Sequence, residues 1–147
     1  MSRAGSSVFA TGMDPAKVPV MYDWYTQLNA PPLTPPGWVF GPVWTFLYAC
    51  IAVAIFRFYR SPRKADVAFV SVILALHLAA NFTWTSFFFG LRMPWLAFAD
   101  ILFLDATLVF LLLRFRKADA WAGALLAPYL CWVSFATYLN LGFALLN

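Results

Sequence analysis

The sequence predicts an all-α integral membrane protein, a compact bundle of four transmembrane helices. Three observations predict it. The chain is 63% apolar, 20% aromatic and only 11% charged, against about 25% charged residues in soluble domains. Four stretches reach the length of about 18 residues needed to cross a hydrocarbon core roughly 30 Å thick. Lys and Arg gather in alternate gaps between those stretches.

The spans are Trp38 to Phe56, Val67 to Leu91 (interrupted by His77), Met93 to Leu113 (carrying Asp100 and Asp105) and Ala120 to Leu146. They place helices at about 37–59, 66–91, 93–115 and 119–146. Residues 1–23 hold no comparable run and lack the roughly 7–15-residue apolar core of a secretory signal. They read as a polar tail ahead of one membrane domain, 24–147.

The first span is approached through Trp24, Tyr25, the prolines Pro31, Pro32, Pro35 and Pro36, and then Gly37-Trp38-Val39-Phe40-Gly41-Pro42-Val43-Trp44-Thr45, closing at Tyr48. Trp and Tyr favour the lipid–water boundary because each joins an apolar body to a polar tip. Proline cannot continue a helix from above, yet its fixed φ suits the first turn of the next one. So many rings at one mouth point to a place for a flat or bulky ligand.

Arg57, Arg60, Arg63 and Lys64 lie between spans one and two, and Arg114, Arg116 and Lys117 between spans three and four; Arg3, Lys17 and Arg92 fall on the other side. Seven against three predicts both basic loops in the cytoplasm, with both termini and the aromatic mouth outside. The net charge of +4 therefore reflects topology. With neither a basic stripe nor a base-stacking module, no nucleic-acid partner is expected. Cys50 and Cys131 fall inside spans without a Cys-x-x-Cys pattern and read as buried structural thiols. These two and the lone His77 are too few for a zinc or iron–sulfur site. No lysine lies within a span to form a retinal Schiff base.

Polar residues inside the spans are the candidates for function. His77, Asn81, Trp84 and Phe88 follow at helical spacing and share one face of span two. Leu125, Pro128, Tyr129, Trp132, Ala136 and Asn140 form a similar stripe on span four, with a bend expected at Pro128. Trp44 and Tyr48 share a face of span one. Each group alone could simply bridge helices; three spans each presenting an aromatic ring beside a hydrogen-bonding group favour a pocket. An aspartate in the bilayer should face the bundle interior or be protonated. Asp100 and Asp105 are about 140° apart on a helix, which makes a poor catalytic dyad. Asp100 shares a face with Thr107 and reads equally as a ligand contact or a helix–helix bond; Asp105 has no partner that spacing can name.

The string Trp24-Tyr25-x-x-Leu28, followed by Pro35-Pro36-Gly37-Trp38-Val39-Phe40-Gly41-Pro42-Val43-Trp44-Thr45-x-x-Tyr48, resembles the approach to the second helix in the tryptophan-rich sensory protein family, also called the translocator protein family. Asn81-x-x-Trp84-x-x-x-Phe88-Phe89-Gly90 and Pro128-Tyr129-Leu130-x-Trp132-x-x-Phe135-Ala136-Thr137-Tyr138-Leu139-Asn140 agree, in the same order, to the C-terminus. The resemblance implies a small helical membrane protein that binds porphyrins, haem and, in animals, cholesterol and synthetic ligands. Some bacterial members are reported to degrade protoporphyrin in light, with two pocket tryptophans whose motif positions resemble Trp44 and Trp132. Tyr25, Asn81 and Ala136 fall on pocket-lining positions.

The chain also departs from that pattern. Nothing in it resembles the first of the family's five helices. Ala30 stands where Lys is usual, and His77 where Gln is usual. No Lys or Arg follows Tyr138, so the family's sterol pattern is incomplete. The family's helices circle in the order first, second, fifth, fourth, third. Without the first, the expectation is a closed but narrower bundle, or one whose open seam is filled by a second subunit in a homodimer.

The expected site comprises Tyr25, Trp38, Trp44, Tyr48, His77, Asn81, Trp84, Phe88, Asp100, Trp132 and Ala136. His77 is either a haem ligand or a neutral histidine bonded to a backbone carbonyl or Asp100. Three functions fit: a receptor, sensor or carrier binding a tetrapyrrole (protoporphyrin or haem) or another hydrophobic small molecule; a light-dependent porphyrin-degrading enzyme; and a proton-coupled transporter using Asp100 and His77. Nothing supplies a conventional nucleophile–base pair, so degradation would depend on the ligand's photochemistry and on Trp44 or Trp132. No cofactor is required beyond the tetrapyrrole ligand. Against transport, neither inverted repeats nor broken helix pairs occur.

Overall fold

The computed structural model describes residues 27–147, so Trp24, Tyr25 and the N-terminal tail lie outside the described residues. Four helices follow: α1 Phe40–Arg60, α2 Val67–Thr85, α3 Pro94–Ala118 and α4 Ala120–Leu146. A 3₁₀ turn, Gly37–Val39, leads into α1, and a wide turn, Ser86–Gly90, extends α2. The spans so defined are 24 to 27 residues long, about 36–40 Å at 1.5 Å per residue, enough to cross a bilayer. The chain is a multi-pass integral membrane protein, an all-α bundle. Its α1 and α3 run slightly further towards the basic loops than expected, to Arg60 and Ala118.

Each helix end has a local cause. Pro35 and Pro36 offer no N–H, and the Val39 amide bonds back to the Pro36 carbonyl at 3.0 Å to open the first turn. At the other end of α1, Ser61 is extended ahead of Pro62, as a pre-proline residue prefers. The Ser61 hydroxyl, buried, donates to the Ala118 carbonyl at 2.5 Å and accepts from the Arg63 amide at 3.1 Å. It thus ties the end of α1 to the end of α3. Pro94 starts α3, where its missing N–H costs nothing. Asp119 alone separates α3 from α4 and caps α4, its Oδ1 accepting from the Trp121 amide at 2.9 Å.

The helices are arranged α1–α4–α3–α2. The α3–α4 pair packs most extensively, α2 lies on α3 and α1 on α4. Small residues allow close approach, as in membrane bundles generally: Ala54, Ala97 and Ala122 are wholly buried. A Cβ on Gly123 would stand 2.6 Å from Arg116 Cβ and 2.8 Å from Arg116 Cα. At the basic end, Phe58 stacks on Phe115 with ring centroids 4.5 Å apart. Leu47, Ile51, Val70, Leu104, Leu108 and Leu126 continue this core through the bundle.

The side between α1 and α2 is closed differently. Without close backbone packing between α1 and α2, the two meet through tyrosine hydroxyls. Tyr48 donates to Asn81 Oδ1 at 3.2 Å, and Tyr59 lies 2.5 Å from Ser71 Oγ. Both basic loops share one end, where Arg57 pairs with Asp119 at 3.0 Å and Arg114 with Asp66 at 2.7 Å. At the opposite end the proline loop is strapped to α4. Tyr138 donates to the Pro32 carbonyl at 2.7 Å, Asn29 and Asn147 exchange hydrogen bonds of 3.0 and 3.1 Å, and Pro31 packs onto Gly142.

One packing expectation is corrected. Cys50 is buried, but Cys131 is exposed on the outer surface. It lies two residues, about 200°, beyond the inward-facing Tyr129, so the helix turns it outwards.

Candidate functional site

Span two presents the expected face inwards: His77, Asn81 and Phe88 are buried and Trp84 is half-buried. Around His77 a single chain of hydrogen bonds crosses all four helices. Tyr48 on α1 donates to Asn81 Oδ1 at 3.2 Å, and Asn81 Nδ2 donates to the Tyr129 oxygen at 2.5 Å. Tyr129, on α4, lies 2.8 Å from His77 Nε2, and His77 Nδ1 is 2.7 Å from Thr107 Oγ1 on α3. The partners of His77 are thus Tyr129 and Thr107, and neither a backbone carbonyl nor Asp100. A buried imidazole needs both nitrogens satisfied, and α3 and α4 supply one hydroxyl each.

Aromatic rings wrap this chain on the α1–α4 side. Trp44 lies 5.5 Å from Tyr48 and 6.3 Å from Tyr129 between ring centroids. Nearer the mouth, Trp132 stands edge-on to Phe40 at 5.7 Å and beside Phe135 at 5.8 Å. Ala136, half-buried on α4 one turn from Trp132, packs against the core beside these rings. A second group sits between α2, α3 and α4. Trp84 stacks on Phe88 at 5.2 Å, Phe88 meets Phe143 at 5.8 Å, and Trp84 Nε1 donates to Asn140 Oδ1 at 2.8 Å.

The structure therefore gathers Trp44, Tyr48, His77 and Asn81 around Tyr129, sets Trp132 and Ala136 above them, and gives Trp84 and Phe88 to a neighbouring cluster. Trp38 is apart, 75% exposed on the turn before α1. Asp100 is also apart. Its Oδ1 accepts from Thr83 at 3.4 Å, while Oδ2 is buried without a hydrogen-bond partner among the described residues. Asp105, which spacing left without a partner, accepts from Thr137 at 2.6 Å and Ser134 at 3.3 Å across the α3–α4 contact. Tyr129, Thr107, Phe40 and Phe135 join the site beyond the expected set. Tyr129 lies on the stripe read from span four, so the signal was present in the spacing.

Two hollows lie at the ends of the bundle. One of about 650 Å³ is bordered by Phe56, Arg57, Arg60, Arg63 and Asp119 at the basic end; one of about 330 Å³ lies between Leu28, Pro94, Trp95 and Asn147. Neither is lined by Trp44 or Trp132. At the basic end, burial pushes the Asp119 carboxyl up. Hydrogen bonds from Arg57 and from the Trp121 and Ala122 amides, with the Arg57 charge, outweigh it and hold Asp119 below the usual carboxylate range.

The architecture is that of a small multi-pass helical membrane protein with a ring-lined polar interior. The sequence profile of the TspO/MBR family matches residues 4–146, and the chain belongs to that family. It is 39% identical to the "Tryptophan-rich protein TspO" of Chlorobaculum tepidum over 125 residues, 84% of this chain and 79% of that one. It is 36% identical to the protein of the same name from Archaeoglobus fulgidus over 124 residues, 84% and 80% of the two chains. It is 33% identical to the human "Translocator protein" over 124 residues, 80% and 70%. Membership supports a membrane sensor or receptor role.

Proposed function

We propose that the protein is a membrane receptor, sensor or carrier that binds a tetrapyrrole among the aromatic residues of its mouth. The observation that carries the proposal is the convergence of Trp44, Phe40, Trp132 and Phe135 from α1 and α4 above the Tyr48–Asn81–Tyr129–His77 chain. A flat conjugated ligand finds stacking faces there and a few polar groups to orient it. The indole N–H of Trp132 has no hydrogen-bond partner among the described residues and is free to donate to a ligand.

Haem iron gains no obvious ligand from His77, because both of its ring nitrogens are already engaged. Protoporphyrin and ferric haem are therefore expected to bind with similar affinity. Titration of the purified protein with each, followed by tryptophan fluorescence, tests this. Saturable quenching by both supports the proposal, and no quenching by either refutes it. Tighter haem binding with a shifted Soret band, both lost in His77→Gln, would instead assign His77 as an iron ligand. Illumination of the complex separates a binder, which leaves the porphyrin absorption unchanged, from a degrading enzyme, which bleaches it.

A further inference from the structure

The hydrogens of the buried chain can be assigned a direction. In principle it could run either way, since an asparagine amide can be turned over and an imidazole can carry its proton on either nitrogen. Thr107 decides. Its hydroxyl lies 2.8 Å from the Phe103 carbonyl one turn back, the usual partner of a helical threonine. Two oxygens at that distance need a hydrogen between them, and Thr107 has only one to give. Thr107 Oγ1 therefore accepts from His77, so Nδ1 carries the imidazole proton and Nε2 presents its lone pair. Tyr129 then donates its phenolic hydrogen to Nε2 and accepts from Asn81 Nδ2, and Asn81 Oδ1 accepts from Tyr48.

The result is a phenol aimed at the free lone pair of a neutral imidazole, both residues being only 1% exposed. The distance of 2.8 Å is within proton-transfer reach. A structural hydrogen bond needs no base, and a glutamine would supply one equally well. An amide oxygen accepts hydrogen bonds but takes up a proton only in strong acid, whereas an imidazole nitrogen is a far stronger base. The histidine therefore adds one capacity to Tyr129, a place for its proton to go.

That capacity matters when a phenol loses an electron. Oxidised tyrosine is a strong acid, and its electron leaves far more readily when a base takes its proton in the same step. Without a base in contact, oxidation of a buried tyrosine is slow. Trp44, 6.3 Å from Tyr129 and half-buried beneath the mouth, offers a route for the electron.

We propose that Tyr129 and His77 form a proton-coupled redox pair that reduces a photo-excited tetrapyrrole at the mouth. Trp44 gives one electron to the excited tetrapyrrole, which becomes its radical anion. Tyr129 returns one electron to the Trp44 radical cation, and the Tyr129 O–H bond breaks as its proton moves to His77 Nε2. The net products are a neutral tyrosyl radical, an imidazolium and a reduced tetrapyrrole, one electron and one proton having moved. The oxidant rests on the tetrapyrrole reading above; the base does not.

The test is flash illumination of the full chain in lipid nanodiscs with protoporphyrin, followed by electron paramagnetic resonance. A parallel arm uses photo-oxidised ruthenium tris-bipyridine, with persulfate as sacrificial acceptor, in place of porphyrin. The expected result is a neutral tyrosyl radical that forms more slowly in D₂O and at a rate independent of buffer concentration. Tyr129→Phe should abolish that radical and leave a tryptophan signal, and His77→Gln should slow its formation by about 100-fold. A tyrosyl signal that persists in Tyr129→Phe, or forms equally fast in His77→Gln, overturns the pair. So does the absence of a tyrosyl radical in the wild-type protein with both oxidants, a result that needs no variant to fold. A radical with ruthenium but none with bound porphyrin upholds the pair and rejects the tetrapyrrole as its oxidant.

Discussion

The indole nitrogen of Trp84 donates to Asn140 Oδ1 at 2.8 Å, while Nδ2 of the same Asn140 donates to the Pro94 carbonyl at 2.8 Å. One buried amide on α4 thus holds α2 by a side chain and the start of α3 by its backbone. Asn140→Leu should lower stability by about 1–2 kcal/mol, since polar bonds within membranes are individually modest. In a Trp84→Phe background the loss should shrink, because the N–H that Asn140 served is gone. Thermal unfolding in one detergent across the four proteins of this cycle measures it; strict additivity would show that the two side chains do not couple.

At Gly123, α4 lies directly against Arg116 of α3. Gly123→Ala would drive a methyl group against the Arg116 backbone, which cannot yield as a flexible side chain would. A destabilisation of about 1–3 kcal/mol is expected, as for other overpacked contacts. Gly41→Ala is the control: nothing lies within 4 Å of its Cβ position, and alanine favours a helix by up to about 1 kcal/mol. Equal melting temperatures for the two variants would contradict the packing described.

Acid should weaken the basic end through Asp119. Its carboxyl is held below the usual range in the folded protein. The stability it contributes is therefore present above the unfolded value of about 3.9 and is lost as pH falls through the lower folded value. Asp119→Asn keeps a capping side chain but removes the charge partner of Arg57. This variant should melt lower than wild type at neutral pH, and the difference should close in strong acid. A gap that stays constant with pH would assign the loss to the cap or to packing.

Trp132→Phe tests the mouth. The ring contacts to Phe40 and Phe135 survive the change, so the fold should be little affected. Porphyrin affinity should fall by about 1 kcal/mol if the indole N–H donates to the ligand. A much larger loss of photobleaching than of affinity would favour the degrading enzyme. No change in either would make Trp132 a packing residue.

Sidedness is tested by single cysteines in a cysteine-free background. The excess of Lys and Arg in the two loops at the Arg57–Asp119 end predicts that end to be cytoplasmic. Ser61 is unsuitable because it is buried between helix ends, whereas Arg63 and Gln27 are exposed. Arg63→Cys should react only with reagent admitted to the inside, and Gln27→Cys with reagent outside. The reverse pattern would invert the topology.

The number of helices was legible from the lengths of the apolar stretches, and the inward face of span two from residue spacing within one segment. Trp44 and Tyr48 likewise emerged together, being one helical turn apart. What spacing could not give was the register between helices. Asp105 had no nameable partner in sequence because Thr137 and Ser134 reach it from another helix, and Thr107 became the partner of His77 for the same reason. Cys131 was misread because its sequence neighbours Leu130, Trp132 and Val133 are apolar; in lipid, hydrophobicity does not distinguish the core from the outer face.

The seam between α1 and α2 has a consequence for how such a bundle can vary. Elsewhere helices rest on alanine and glycine, so their spacing is fixed by the thickness of two backbones. Here the spacing is the length of a tyrosine, set twice, by Tyr48 on Asn81 and Tyr59 on Ser71. Two side chains act as struts of a wall that has no bricks. Exchanging a strut for a shorter or longer residue would change the girth of the bundle on this side alone, leaving the α3–α4 spine and its loops as they are.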